Sequence, residues 1–133
     1  MKKVLILCTG NSCRSIMAEA LVNAYLKDIQ AYSAGSAPSG KVNPNAKKVL
    51  QEEGIWDDKY RSKTIEEAER FAPFDLVVTV CDNAKEKCVT YLKGQKTIHV
   101  GFEDPDGKEY EEFVKTKEEI KKRLLPIIKK ELS

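Results

Sequence analysis

Apolar positions fall in two rhythms along this chain, and the alternation between them predicts the fold. Val4-Leu5-Ile6-Leu7 and Leu76-Val77-Val78-Thr79-Val80 are continuous apolar runs of strand length. Runs without a polar face belong to strands covered on both sides, as in a parallel sheet. Tyr32-Ser33-Ala34 reads as a short second strand and Thr97-Ile98-His99-Val100 as a fourth. Met17, Ala20, Leu21 and Ala24 carry helical spacing and predict a helix from about Ser15 to Lys27. Asn43-Pro44 opens a second helix, with Val49 and Leu50 on its inner face and Gly54 just past its end. Thr64 and Glu67 have the spacing of a capping box for a short third helix containing Ala68, Phe71 and Ala72. Asp82 or Asn83 is placed to cap a helix running towards Leu92, stopped by Gly94. From about Glu112 a long amphipathic helix carries Val114, Ile120, Leu124, Ile127 and Ile128. Pro126 falls inside it and is expected to kink or break it.

Strands alternating with helices predict an α/β fold. The expectation is a single domain over 1–133, with a four-stranded parallel sheet, right-handed crossovers and helices on both faces. Ligands of such sheets sit beyond the carboxyl ends of the strands. Cys8, Cys81 and the loop after Val100 all fall on that edge.

Composition narrows the class. The chain has 133 residues, enough for one domain with a substantial core. Its 23 basic and 21 acidic residues give +2, too near neutral to argue for nucleic acid or a membrane surface. No apolar run approaches the roughly 20 residues of a membrane helix. Met1-Lys2-Lys3-Val4 begins no signal peptide, so a cytoplasmic location is expected. Four cysteines in a reducing compartment then point away from structural disulfides and towards metal or redox chemistry. There is no Cys-x2-Cys pair and His99 is the only histidine, so no firm metal site is expected. His99 itself reads as a strand residue.

The stretch Cys8-Thr9-Gly10-Asn11-Ser12-Cys13-Arg14-Ser15 stands between the first strand and the first helix. A strand, a small-residue loop and a helix start aim backbone N–H groups at one spot, where the helix dipole favours negative charge. A thiol opens this loop and a guanidinium closes it, with five residues between. The arrangement predicts a thiolate nucleophile, Cys8, beneath a bound tetrahedral oxyanion held by Thr9, Gly10, Asn11, Ser12, Cys13 and Arg14. The amides that hold the anion would also favour the thiolate form. Arg14 offers a planar fork that matches two oxygens, which lysine cannot imitate. Gly10 and Asn11 tolerate the left-handed backbone that lets amides converge. Ser15 can donate its hydroxyl to the Cys8 sulfur.

This segment, with Met17-Ala18-Glu19-Ala20, resembles the low-molecular-weight tyrosine phosphatase superfamily and, within it, the thioredoxin-coupled arsenate reductases. Tyr32-Ser33-Ala34-Gly35, Asn43-Pro44-Asn45-Ala46, Asp75-Leu76-Val77-Val78-Thr79 and Gly101-Phe102-Glu103-Asp104-Pro105 extend the resemblance over nearly the whole chain. It implies a low-molecular-weight phosphatase-like fold, with Asp104 exchanging a proton with the leaving oxygen. It also implies a use for Cys81 and Cys88, which ester hydrolysis does not need. Cys8 attacks arsenic and a protonated oxygen leaves. Cys81 attacks Cys8, releasing arsenite, and Cys88 then attacks Cys81, leaving a Cys81–Cys88 disulfide for a thioredoxin-type dithiol to reduce. In some relatives of this kind a potassium ion sits beside the cradle, which here would fall to Asn11, Glu19 and Ser33. No other cofactor, nucleic acid or membrane partner is expected. Cys13 reads either as packing or as a partner for a protective Cys8–Cys13 disulfide.

Cys81 and Cys88 are seven residues apart. In a helix their Cα atoms would be about 10.5 Å apart, at 1.5 Å per residue. A disulfide needs about 4.4–6.8 Å. The polar segment 82–87 is therefore expected to be helical when reduced and looped out when oxidised. The alternative reading is a phosphatase in which Cys8 forms a phosphoenzyme and Asp104 is the general acid. The continuation Asp106-Gly107-Lys108-Glu109-Tyr110 lacks the tyrosine-rich run seen in many such phosphatases. A third is a non-catalytic oxyanion-binding or redox-sensing protein.

Overall fold

The computed structural model describes residues 1–82 and 96–133. Four strands, β1 (Lys2–Cys8), β2 (Ile29–Gly35), β3 (Leu76–Thr79) and β4 (Thr97–His99), form one sheet in the order β2-β1-β3-β4. Every pairing is parallel. Four helices are described: α1 (Arg14–Tyr25), α2 (Pro44–Glu53), α3 (Ile65–Ala68) and α4 (Tyr110–Glu131).

Alternation along the central strand divides the core. Val4, Ile6 and Cys8 join a cluster with Ile16, Met17, Leu21, Leu50, Phe113, Ile120 and Leu124, so α1, α2 and α4 cover one face. Leu5 and Leu7 join Ala34, Ala68, Phe74 and Val77 on the other, beneath α3 and the turn after it. Tyr32 and Phe71 stack there at 4.4 Å between ring centroids. A central strand buried on both faces is what the continuous apolar run required.

The helix boundaries follow their caps. Asn43 accepts a hydrogen bond from the Asn45 N–H at 2.8 Å, Pro44 takes the first helical position, and Gly54 ends α2 at φ +78°. Thr64 Oγ1 accepts from the Glu67 N–H at 3.0 Å and the Glu67 carboxylate returns to Thr64, completing the capping box.

Several expectations change, among them the third helix, which ends at Ala68 and leaves Phe71 in a 3-10 turn, Glu69–Phe71, with Ala72 extended beyond it. The second strand is seven residues, Ile29–Gly35, because it pairs with β1 along its whole length. The first helix ends at Tyr25 rather than Lys27, since Asp28 turns the chain with φ +65° to enter β2. Pro126 does not break the last helix, which runs through it to Glu131. Proline removes only the bond to the Lys122 carbonyl, and both residues lie on the solvent side, where water can take its place. Ile127, expected on the inner face, is 36% exposed, and Leu125 is buried instead. The predicted helix from Asp82 or Asn83 to Leu92, with its Gly94 stop, lies outside the described residues.

Candidate active site

β1 delivers Cys8 to the carboxyl edge of the sheet, and the next residues loop back into α1. The loop's backbone is pinned from outside. Ala37, Ser39 and Asn43 donate N–H bonds to the carbonyls of Thr9, Gly10 and Ser12 at 3.0, 3.0 and 2.9 Å. In a trans peptide the C=O and the following N–H point opposite ways, so carbonyls held outward turn the amides of Gly10, Asn11 and Cys13 inward. The Asn11 N–H does reach Cys8 Sγ, at 3.3 Å. Asn11 adopts the expected left-handed backbone, φ +46°, but Gly10 does not. Gly35 is needed for closeness instead: a Cβ there would stand 2.6 Å from the Thr9 carbonyl oxygen. At the start of α1 no side chain caps the helix and no acidic residue occupies the first turn, which leaves that end electropositive.

Cys8 is buried and free. Its sulfur lies 3.0 Å from Ser15 Oγ. Asn11 Nδ2 donates to Ser15 Oγ at 2.7 Å and to Ser33 Oγ at 3.0 Å. Ser33 donates to Glu19 Oε1 at 2.6 Å, and Asn11 Oδ1 accepts from the Lys63 N–H at 2.9 Å. One hydrogen-bonded chain therefore joins the sulfur to Glu19. Thr9 Oγ1 is buried in the same loop with no hydrogen-bond partner among the described residues.

Arg14 is 3% exposed. Its Nη1 donates to the Phe102 carbonyl at 3.1 Å, and its Nη2 lies 3.5 Å from Asp104 Oδ2. Asp104 stands at the rim with its side chain 43% exposed, and its Oδ1 accepts from the Asp106 N–H at 3.0 Å. The acid and the guanidinium are thus held side by side above the loop.

Cys81 follows β3 on the same edge, fully buried and in the same apolar cluster as Cys8. It is disulfide-bonded. Cys88 and residues 83–87 lie outside the described residues, and with them the expected rearrangement of 82–87. Cys13 is buried and free. Burial pushes its thiol up to about 12, the Ser12 hydroxyl offsets this in part, and the negative charges of Asp104, Asp106 and Cys8 add to it. A thiol kept protonated is a poor nucleophile, which favours packing over redox work for Cys13.

Asn11, Glu19 and Ser33, the residues expected around a cation, do meet in one network. Burial raises the Glu19 carboxyl from 4.5 to about 7, against the opposing pull of Lys63, the Ser33 hydroxyl and Lys59. Ser33 Oγ and the Glu19 carboxylate are hard oxygen donors, whereas Asn11 turns its amide nitrogen towards Ser33 and its oxygen towards the Lys63 N–H, so a cation there would need the Asn11 amide to turn. Among the described residues, no group of three or more His, Cys, Asp or Glu side chains could hold a metal ion. No described helix is long and apolar enough to cross a membrane.

Several supports of the site were not foreseen. Lys63, the Phe102 carbonyl and the amides of Ala37 and Ser39 act through backbone atoms, which carry no side-chain signature. His99, read only as a strand residue, places Nδ1 2.8 Å from Thr79 Oγ1. A Cβ on Gly101 would stand 3.0 Å from both His99 Nε2 and the Cys81 carbonyl oxygen, so a side chain there could not be added without a shift.

Residues 3–133 match the family described as low molecular weight phosphotyrosine protein phosphatase. An arsenate reductase of Bacillus cereus is 44% identical over 124 residues, which span 92% of this chain and 91% of that protein. Among solved structures, an arsenate reductase from Archaeoglobus fulgidus superposes with a TM-score of 0.81 at 33% identity, covering 94% of this chain and 98% of that one. A thioredoxin-dependent arsenate reductase from Corynebacterium glutamicum superposes with a TM-score of 0.72 at 25% identity, covering 99% of this chain and 62% of that one.

Proposed function

The chain belongs to the low molecular weight phosphotyrosine protein phosphatase family, and from that premise we propose that it is a cytoplasmic arsenate reductase whose three-cysteine relay is reset by a thioredoxin-type dithiol. The observation that carries the reading is Cys81: buried, disulfide-bonded and on the same sheet edge as the free thiol of Cys8. A hydrolase needs no second sulfur there.

Arsenate, a tetrahedral oxyanion, lies under the inward amides of the loop and against the fork of Arg14. Cys8 attacks arsenic. Asp104 gives a proton to the departing oxygen, which leaves as water. Cys81 then attacks the Cys8 sulfur, and the As–S electron pair goes to arsenic, releasing arsenite. Two thiols have become one Cys8–Cys81 disulfide, which balances the two-electron reduction from As(V) to As(III). Cys88 attacks Cys81 and returns Cys8 as a thiolate, to which Ser15 and the Asn11 N–H donate. The external dithiol reduces Cys81–Cys88. Asn11, Glu19 and Ser33 would hold a potassium ion, whose charge would favour ionised Glu19 at the far end of the Cys8 network.

The same cradle and the Arg14–Asp104 pair also suit a phosphomonoester, with hydrolysis through a Cys8 phosphoenzyme. The two readings separate on wild type, Cys8→Ser and Cys88→Ser. Arsenite formation is followed with thioredoxin, thioredoxin reductase and NADPH, and aryl phosphate hydrolysis is followed separately. The reductase reading expects turnover only in the wild type, with any hydrolysis surviving loss of Cys88. Hydrolysis without arsenite formation establishes the phosphatase. Inertness in both assays leaves an oxyanion-binding or redox-sensing protein.

A further inference from the structure

We propose that Arg123, on the outer side of α4 and away from the cradle, is a positioning residue for Arg14. It acts through the strip 101–104. Arg123 Nη1 donates to the Gly101 carbonyl at 3.3 Å, and its guanidinium carbon lies 4.7 Å from the centroid of the Phe102 ring. Phe102 is buried, and its N–H donates to the Val80 carbonyl at 3.1 Å, one residue before Cys81. Its own carbonyl receives Arg14 Nη1 at 3.1 Å. Two residues on, Asp104 meets Arg14 Nη2 at 3.5 Å.

The strip thus supplies two partners of the oxyanion-binding guanidinium, and two anchors fix the strip. Val80 holds it from the sheet and Arg123 holds it from the helix. The aromatic ring matters because it turns the Arg123 charge into a directional contact: a cation over a π-face resists sliding of the ring, and the ring's backbone is what Arg14 grips. A guanidinium displaced by a fraction of an ångström no longer matches two oxygens of a tetrahedral anion. Glu119 lies 3.9 Å from Arg123 on the same helix, one turn back, and serves as the control for a change of charge beside Arg123.

The proposal rests on the reading that Arg14 binds a tetrahedral oxyanion, so its test uses inorganic phosphate rather than turnover. Phosphate dissociation constants are measured by calorimetry, and urea midpoints beside them, for wild type, Arg123→Ala, Arg123→Lys, Phe102→Leu, the double variant Arg123→Ala/Phe102→Leu, and Glu119→Gln. Arg123→Ala should weaken phosphate about three- to fivefold, the scale of a lost cation–π contact, while Arg123→Lys recovers most of it. In the Phe102→Leu background the same change should cost less than about twofold, because contacts that act together are not additive. Glu119→Gln should bind as wild type does. A lower urea midpoint with an unchanged phosphate constant, or losses that simply add, would make Arg123 a stabilising surface residue and overturn the proposal. A wild type that binds no phosphate would remove the oxyanion site, and the functional reading with it.

Discussion

Ser15 Oγ lies 3.0 Å from Cys8 Sγ, the second residue of α1 meeting the last residue of β1. Asn11 fixes that hydroxyl from the side by donating to it at 2.7 Å, so the hydroxyl's own proton is left to face the sulfur. The sulfur therefore receives Ser15 and the Asn11 amide, and it is stabilised as attacking group and as leaving group alike.

Replacing Ser15 by alanine removes one of these donors and leaves the loop amides in place. A hydrogen bond to a charged group is worth about 1.5–3 kcal/mol, so kcat should fall about 10- to 100-fold. KM for the oxyanion should stay within about twofold, since Ser15 touches the nucleophile and not the ligand. Steady-state kinetics with arsenate checks this. An equal fall in binding would place Ser15 in the cradle instead.

Gly35→Ala tests the pinning of the loop from outside. The new Cβ would meet the Thr9 carbonyl at 2.6 Å and Asn11 Cβ at 3.0 Å, and backbone atoms cannot swing aside. The loop must shift, with a stability cost of about 1–3 kcal/mol typical of overpacking and a clear weakening of phosphate binding. Urea unfolding and calorimetry read the two effects. Unchanged phosphate affinity would mean that the amides do not depend on the second strand for their aim.

The motif between Cys8 and Ser15 was legible because side-chain type and spacing carry it, and so were the Asn43 and Thr64 caps. The supports that aim the loop were not. Asn11 is held by the amide of Lys63, 52 residues away in sequence, and Arg14 by the carbonyl of Phe102, 88 residues away. Backbone donors look alike at every position, and only the tertiary path selects one. Pro126 misled for a related reason: its penalty depends on whether the freed carbonyl meets water, which sequence does not state.

Glu19 gives stability a pH dependence opposite to the usual carboxylate. Its folded value, about 7, lies above its usual 4.5, so the folded chain holds a proton that the unfolded chain releases between those values. Stability should fall as pH rises from 4.5 to about 7 and then level off, with a full size of about 3 kcal/mol. Glu19→Gln should flatten that slope in urea midpoints against pH. Potassium chloride in place of choline chloride should raise the wild-type midpoint above pH 7 and leave the variant unmoved. No potassium effect would leave this carboxyl to Lys63 and Lys59 among the described residues.

Glu53 works in the ordinary direction. It accepts Lys117 and Lys121 at 2.8 Å each and Tyr25 Oη at 2.5 Å, tying α1, α2 and α4 together. Hydrogen bonds from Lys117, Lys121 and Tyr25 lower its carboxyl from 4.5 to about 2. Its contribution is complete above 4.5 and lost as pH falls towards 2. With Lys121 partly in solvent, Glu53→Gln should cost about 1–2 kcal/mol at neutral pH. The difference from wild type should vanish in acid, as read by thermal or urea unfolding.

The most direct test is a single turnover of fully reduced Cys88→Ser with arsenate and no other reductant, followed by quenching and mass spectrometry of the disulfide-linked peptides. The account predicts one arsenite per protein and a Cys8–Cys81 crosslink, because the relay stops when the third sulfur is missing. Arsenite without that crosslink, a crosslink between Cys8 and Cys13, or no arsenite from a protein that still hydrolyses an aryl phosphate would contradict it.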